Sequence, residues 1–213
     1  RAKRIKHLKP NGCQITLPDW WPPTLKESQN FIMGMQEVVD DMYMILYNPP
    51  HAKVLLSLDE ILFLTKEAPN LVGIKCAGGD EKWYQKRREL FKNFSVFVPG
   101  HTVVFGKPLG ANGSYSNVAC LSPNGAVMIW ELIDNDIKKA KNIENKINNF
   151  MKTYILPLAS RLSNTGLDKL LASVGDWGPI SEKVLWPYEG ASFEEVQKIK
   201  TIAKQELSEL FNV

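Results

Sequence analysis

The 213 residues hold little of what would point to a metal, a nucleic acid or a membrane. Three cysteines (Cys13, Cys76 and Cys120) and three histidines are present, and neither set has the close spacing of a metal site. Because the cysteines are odd in number and unpatterned, a reducing, cytoplasmic compartment is expected. No apolar run approaches membrane length, and no signal-peptide pattern opens the chain. The basic excess is only +3, too small to imply a nucleic-acid partner, and the opening RAKRIKHLKP reads as the solvated face of a helix end. No glycine-rich dinucleotide turn follows a strand, and there is no internal repeat or low-complexity stretch. What remains is an ordinary globular composition, 44% hydrophobic and 23% charged.

The informative stretch runs from Met42 to Gly79. Tyr43–Tyr47 (YMILY) is an apolar run stopped by Asn48-Pro49-Pro50, as for a buried strand ending in a turn. Leu58, Ile61, Leu62, Leu64 and Thr65 recur at helical spacing, and Leu71–Lys75 (LVGIK) is a second strand. Continuous apolar strands separated by a helix predict a parallel sheet covered by helices. Each strand carries a reactive side chain at its carboxyl end, Tyr47 on the first and Lys75 on the second. In parallel α/β barrels that end of the strands is where chemistry is done. An amine is a nucleophile only when neutral, and desolvation disfavours the ammonium, so a lysine between Ile74 and Cys76 suits Schiff-base formation with a ketone. Tyr47 is then placed to shuttle protons. The same placement also fits a lysine that closes a strand and reaches out to water. After Lys75, the small residues Ala77, Gly78 and Gly79 would let a substrate approach the backbone.

Tyr-Asn-Pro-Pro, then a helix, then Asn-Leu-Val-Gly-Ile-Lys and a small-residue loop, resembles the dihydrodipicolinate synthase / N-acetylneuraminate lyase family of class I aldolases. The separation of 28 residues between Tyr47 and Lys75 suits that family. The resemblance implies a (β/α)8 barrel in which Lys75 forms an imine with pyruvate and Tyr47 relays protons, with no other cofactor. It also implies a homo-oligomer acting on a small 2-oxo acid and an aldehyde. Three places depart from the family pattern. Trp20-Trp21 stands where the family has a tyrosine pair, which leaves no phenol there. Ala52 falls where dihydrodipicolinate synthases present an arginine, with Lys53 beside it as a point charge for an anion. Tyr115, followed by Ser116, occupies the position of an aliphatic residue over the 2-oxo acid. These changes point away from aspartate semialdehyde and toward a sugar-acid or aromatic aldehyde, with true dihydrodipicolinate synthase as the alternative. A barrel that binds a ligand or partner without turnover is the reading of another class.

Elsewhere, strands are expected near 14–18, 95–99 and 114–119 in addition to 43–47 and 71–75. Helices are expected over 24–40, 81–94 and 123–133, and then over 134–155, 160–174 and 192–211, with Ser192 and Glu195 forming a capping box. Five strands predict about the last five βα units of the barrel over residues 1–133, since the whole barrel has eight. A C-terminal helical appendage is expected over 134–213, and the chain is expected to be incomplete relative to the natural product.

Overall fold

A computed structural model describes residues 2–212. Five parallel strands lie side by side in chain order: β1 (Gly12–Ile15), β2 (Tyr43–Tyr47), β3 (Leu71–Lys75), β4 (Ser95–Val98) and β5 (Gly113–Ser114). Parallel neighbours need a crossover, and helices supply it. After α1 (Ala2–Ile5), the first three crossovers are α2 (Leu25–Val39), α3 (Leu58–Thr65) and α4 (Glu81–Leu90). Each of these three helices starts on a side-chain cap. Thr24 with Glu27 and Ser57 with Glu60 are full capping boxes, while Asp80 accepts from the Trp83 N–H at 2.8 Å.

The remaining helices are α5 (Val103–Leu109), α6 (Val118–Leu121), α7 (Pro123–Asn135), α8 (Ile137–Phe150), α9 (Asn164–Gly175), α10 (Phe193–Glu206) and α11 (Ser208–Phe211). Ala140, Ile143, Ile147 and Phe150 fall on one stripe of α8, and all are buried. Ser122 caps α7 through the Gly125 N–H and donates its hydroxyl to the Leu210 carbonyl at 2.6 Å, tying that helix to the C-terminal turn. Two compact units result. One holds the chain to Val98 together with Leu109–Gly113; the other holds Pro99–Pro108 and the chain from Ser114 onward.

Several expectations are corrected. The stretch 114–119 is not a strand: pairing stops at Ser114, and the Ser116 hydroxyl accepts the Ala119 N–H at 3.2 Å, starting a helix instead. Tyr115 and Ser116 therefore sit in a turn. The first strand lies at Gly12–Ile15, ahead of 14–18, and α4 ends at Leu90 rather than Phe94, where Phe91 turns extended. Helix α5 was not foreseen, because Val103–Leu109 contains Gly106 and Pro108.

Candidate active site

Burial alternates along the strands even though both faces are apolar in composition. Met44, Leu46, Ile74, Val96 and Val98 are all 0–1% exposed. Ile45, Tyr47, Lys75 and Phe97 alternate with them and are only half-buried. Tyr47 and Lys75 thus belong to the less buried face, and each is the last residue of its strand. The parallel register pairs them directly. The Lys75 Nζ lies 4.1 Å from the centre of the Tyr47 ring, a cation–π contact across the two strand ends. Gly73 makes room one step back on the same face, where a Cβ would lie 2.8 Å from the Ser95 carbonyl and 2.9 Å from Ile45 Cδ1.

The loop after Tyr47 is held by Asn48, which in the sequence marks only the start of a turn. Pro49 and Pro50 have no N–H to donate, so the return of the loop falls to the Asn48 side chain. Its amide donates to the Val54 carbonyl at 2.7 Å, and its carbonyl accepts the Leu56 N–H at 2.9 Å. The Asn48 backbone N–H donates to the Lys75 carbonyl at 2.9 Å, so the same residue locks the two strand ends together. The usable signal was an amide side chain followed by two prolines. His51 and Lys53 project from this fixed loop and are exposed.

On the other face, Cys76 lines a cleft of about 200 Å³ with Ile61, Ile74 and Trp83. Its thiol receives the Gly78 N–H at 3.4 Å. Burial pushes the Cys76 thiol up, against the opposing pull of that N–H and of the Lys75 charge. Gly78 has a φ of +83°, which favours glycine, and a Cβ there would lie 3.1 Å from the Tyr84 hydroxyl. Burial, with a smaller push from Cys76, raises the Tyr84 phenol to about 12, so it stays neutral beneath the loop. Tyr84 and Cys76 are a supporting layer that the helical spacing of α4 did not reveal.

Within the other unit, Tyr115 is 47% exposed, and Ser116 turns its hydroxyl back to cap α6. His101 lies in the tight turn Gly100–Thr102, its Nδ1 3.1 Å from Asn117 Oδ1. Trp20 and Trp21 are 96% and 77% exposed. Among the described residues, no group of three or more His, Cys, Asp and Glu is placed to hold a metal, and no helix is long and apolar enough to cross a membrane.

The chain can now be set beside known proteins. Sialic acid aldolase from Ruminococcus gnavus superposes with a TM-score of 0.80 at 15% identity, over 98% of this chain and 69% of that one. N-acetylneuraminate lyase from Fusobacterium nucleatum gives 0.77 at 20% identity, over 97% and 69%. Dihydrodipicolinate synthase from Bacteroides thetaiotaomicron gives 0.77 at 19% identity, over 96% and 69%. At these identities the likeness establishes the fold, a parallel α/β sheet with its helices. No curated protein matches the sequence. The sequence profile of the dihydrodipicolinate synthetase family matches residues 2–206, nearly the whole of what is described, and the chain belongs to that family.

Proposed function

We propose that this chain is a Schiff-base lyase or synthase, making or breaking a carbon–carbon bond between pyruvate, or a related 2-oxo acid, and an aldehyde. One observation carries the reading: an amine and a phenol close neighbouring parallel strands in register, with Nζ 4.1 Å from the ring centre. Neutral Lys75 adds to the ketone carbon, and loss of water leaves an imine whose nitrogen takes the Tyr47 phenol proton, so that the electron sink and the phenolate form together. In the cleavage direction, the hydroxyl on the carbon beyond the breaking bond gives its proton to the Tyr47 phenolate. The aldehyde departs, and the bonding pair stays in the enamine on Lys75. Protonation of the enamine carbon and addition of water then release the 2-oxo acid and the free amine. No metal or separate cofactor enters this scheme.

On this reading the strands are βα units of a (β/α)8 barrel over residues 1–133, with the helical region over 134–213. The protein works as a homo-oligomer in the cytoplasm. Gly78 lets substrate approach the backbone, and Lys53 meets an anionic group. Borohydride reduction in the presence of pyruvate tests the proposal: intact mass should show one adduct per chain, and peptide mapping should place it on Lys75. An adduct on Lys53 or Lys66 would contradict it. A binding role without turnover is the second reading, favoured by the exposed Trp20 and Trp21 at a place where the resembling family has phenols. It predicts no adduct at all.

A further inference from the structure

The register that pairs Tyr47 with Lys75 also pairs Lys75 with Phe97 of β4, so the amine stands between a phenol on one strand and a phenyl ring on the other. Neighbouring strands lie about 4.8 Å apart, which puts all three side chains within reach of one small molecule. The Cys76 N–H donates to the Phe97 carbonyl at 3.0 Å and holds the ends of β3 and β4 in that register. One step back on the same face, Ile45 pairs with Gly73 and Gly73 with Ser95. Ile45 Cδ1 reaches over Gly73, so the floor beneath Lys75 is already filled.

The Phe97 ring leans toward β5. A Cβ at Gly113 would lie 2.9 Å from both Cδ1 and Cε1 of that ring, so the bare Gly113 backbone is what leaves the ring its place. The ring bounds one side of Lys75, and the Tyr47 hydroxyl serves the other. In a Schiff base on Lys75, the bond made or broken at the carbon next to the imine must face Tyr47. The groups on that carbon that take no part in the bond point away from it, across Lys75, toward Phe97. An aromatic wall suits hydrogen or a hydrocarbon there and does not suit the carboxylate, which would lose its hydration against the ring.

We infer that Phe97 is the specificity-determining residue for the 2-oxo acid, admitting the methyl group of pyruvate and turning away the longer chain of 2-oxobutyrate. The inference rests on the Schiff-base reading of Lys75 and Tyr47 and deepens it. One methylene more or less in an apolar pocket changes efficiency by roughly 10- to 200-fold, so a single side chain is enough to set the preference. Phe97 carries no proton and no charge, and imine formation on Lys75 does not depend on it.

The test is borohydride trapping of the full chain in an equal mixture of pyruvate and 2-oxobutyrate, read by intact mass, where the two adducts differ by one methylene. Their ratio is corrected for the reactivity of each acid with free lysine. The unaltered chain should favour the pyruvate adduct by roughly tenfold or more, and Phe97→Ala should bring the two within about threefold. Phe97→Leu, which keeps an apolar side chain, should fall between and decides the matter if Phe97→Ala does not fold. Both adducts form on the same molecules, so a variant that merely folds less well lowers both and leaves the ratio unchanged. A pyruvate adduct on the unaltered chain, with a ratio that Phe97→Ala and Phe97→Leu leave where it was, would overturn the inference alone. So would an unaltered chain that takes both acids equally. The absence of any pyruvate adduct on the unaltered chain would instead remove the Schiff-base reading, and this inference with it.

Discussion

At the scale of single residues, Tyr47 has two separable parts. Its ring faces the Lys75 amine, and its hydroxyl is the proposed proton carrier. Tyr47→Phe keeps the first and deletes the second. The expected result is a kcat lowered by roughly 10²–10⁴-fold with little change in KM, as for loss of a proton-transfer group. An unchanged kcat with a raised KM would make Tyr47 a binding residue. Asn48 acts one step further out, through two hydrogen bonds that close the loop over Val54 and Leu56. Asn48→Ala leaves the Leu56 N–H and the Val54 carbonyl without those partners, and should cost about 1–3 kcal/mol of stability in a urea titration. Asn48→Asp keeps the acceptor for the Leu56 N–H but sets a buried carboxylate oxygen against the Val54 carbonyl, so its loss should be the larger. A variant of wild-type stability would show that water replaces the side chain there.

Among the elements, the best-read ones carry their whole signal locally. Tyr43–Tyr47 and Leu71–Lys75 are apolar runs bounded by turn residues, and the structure begins and ends both strands at those residues. The same holds for α3, where Ser57 and Glu60 exchange hydrogen bonds across one turn. Replacing Ser57 with Ala should therefore cost about 0.5–2 kcal/mol, and with Gly only a few tenths, measured by equilibrium unfolding. Equal losses for the two would point to lost packing rather than a lost cap. Helix α5 shows the opposite case. Its first turn is held by the Glu144 carboxylate, which accepts the Val104 N–H at 2.9 Å from forty residues along the chain. Burial pushes the Glu144 carboxyl up, while the Val104 and Phe105 N–H groups pull it back. No local pattern in Val103–Leu109 announces that partner. The strand expected over 114–119 failed for a related reason. Ser-Tyr-Ser alternates like a strand, and the choice was made by the Ser116 hydroxyl finding the Ala119 N–H.

At the scale of the whole molecule, one face of the sheet is closed under the helices, and the alternate residues of the same strands stay half-buried. That division puts a lysine and a tyrosine on one side and a raised cysteine thiol on the other, from adjacent positions in sequence. The pair was legible because each member ends a strand and the two strands are neighbours in the chain. Its support was not, since Asn48, Cys76 and Tyr84 matter through contacts that only the folded chain makes. Nor was the place of Phe97 beside Lys75, which the register of β3 against β4 sets. The central claim, an imine on Lys75 served by the Tyr47 hydroxyl, needs no knowledge of the aldehyde to be tested. Pyruvate held as an enamine exchanges its methyl hydrogens with solvent, so proton NMR in deuterated water reads the claim directly. The account predicts catalysed exchange by the unaltered chain, none above background with Lys75→Ala, and slowed exchange with Tyr47→Phe. Exchange by Lys75→Ala at the unaltered rate would contradict it.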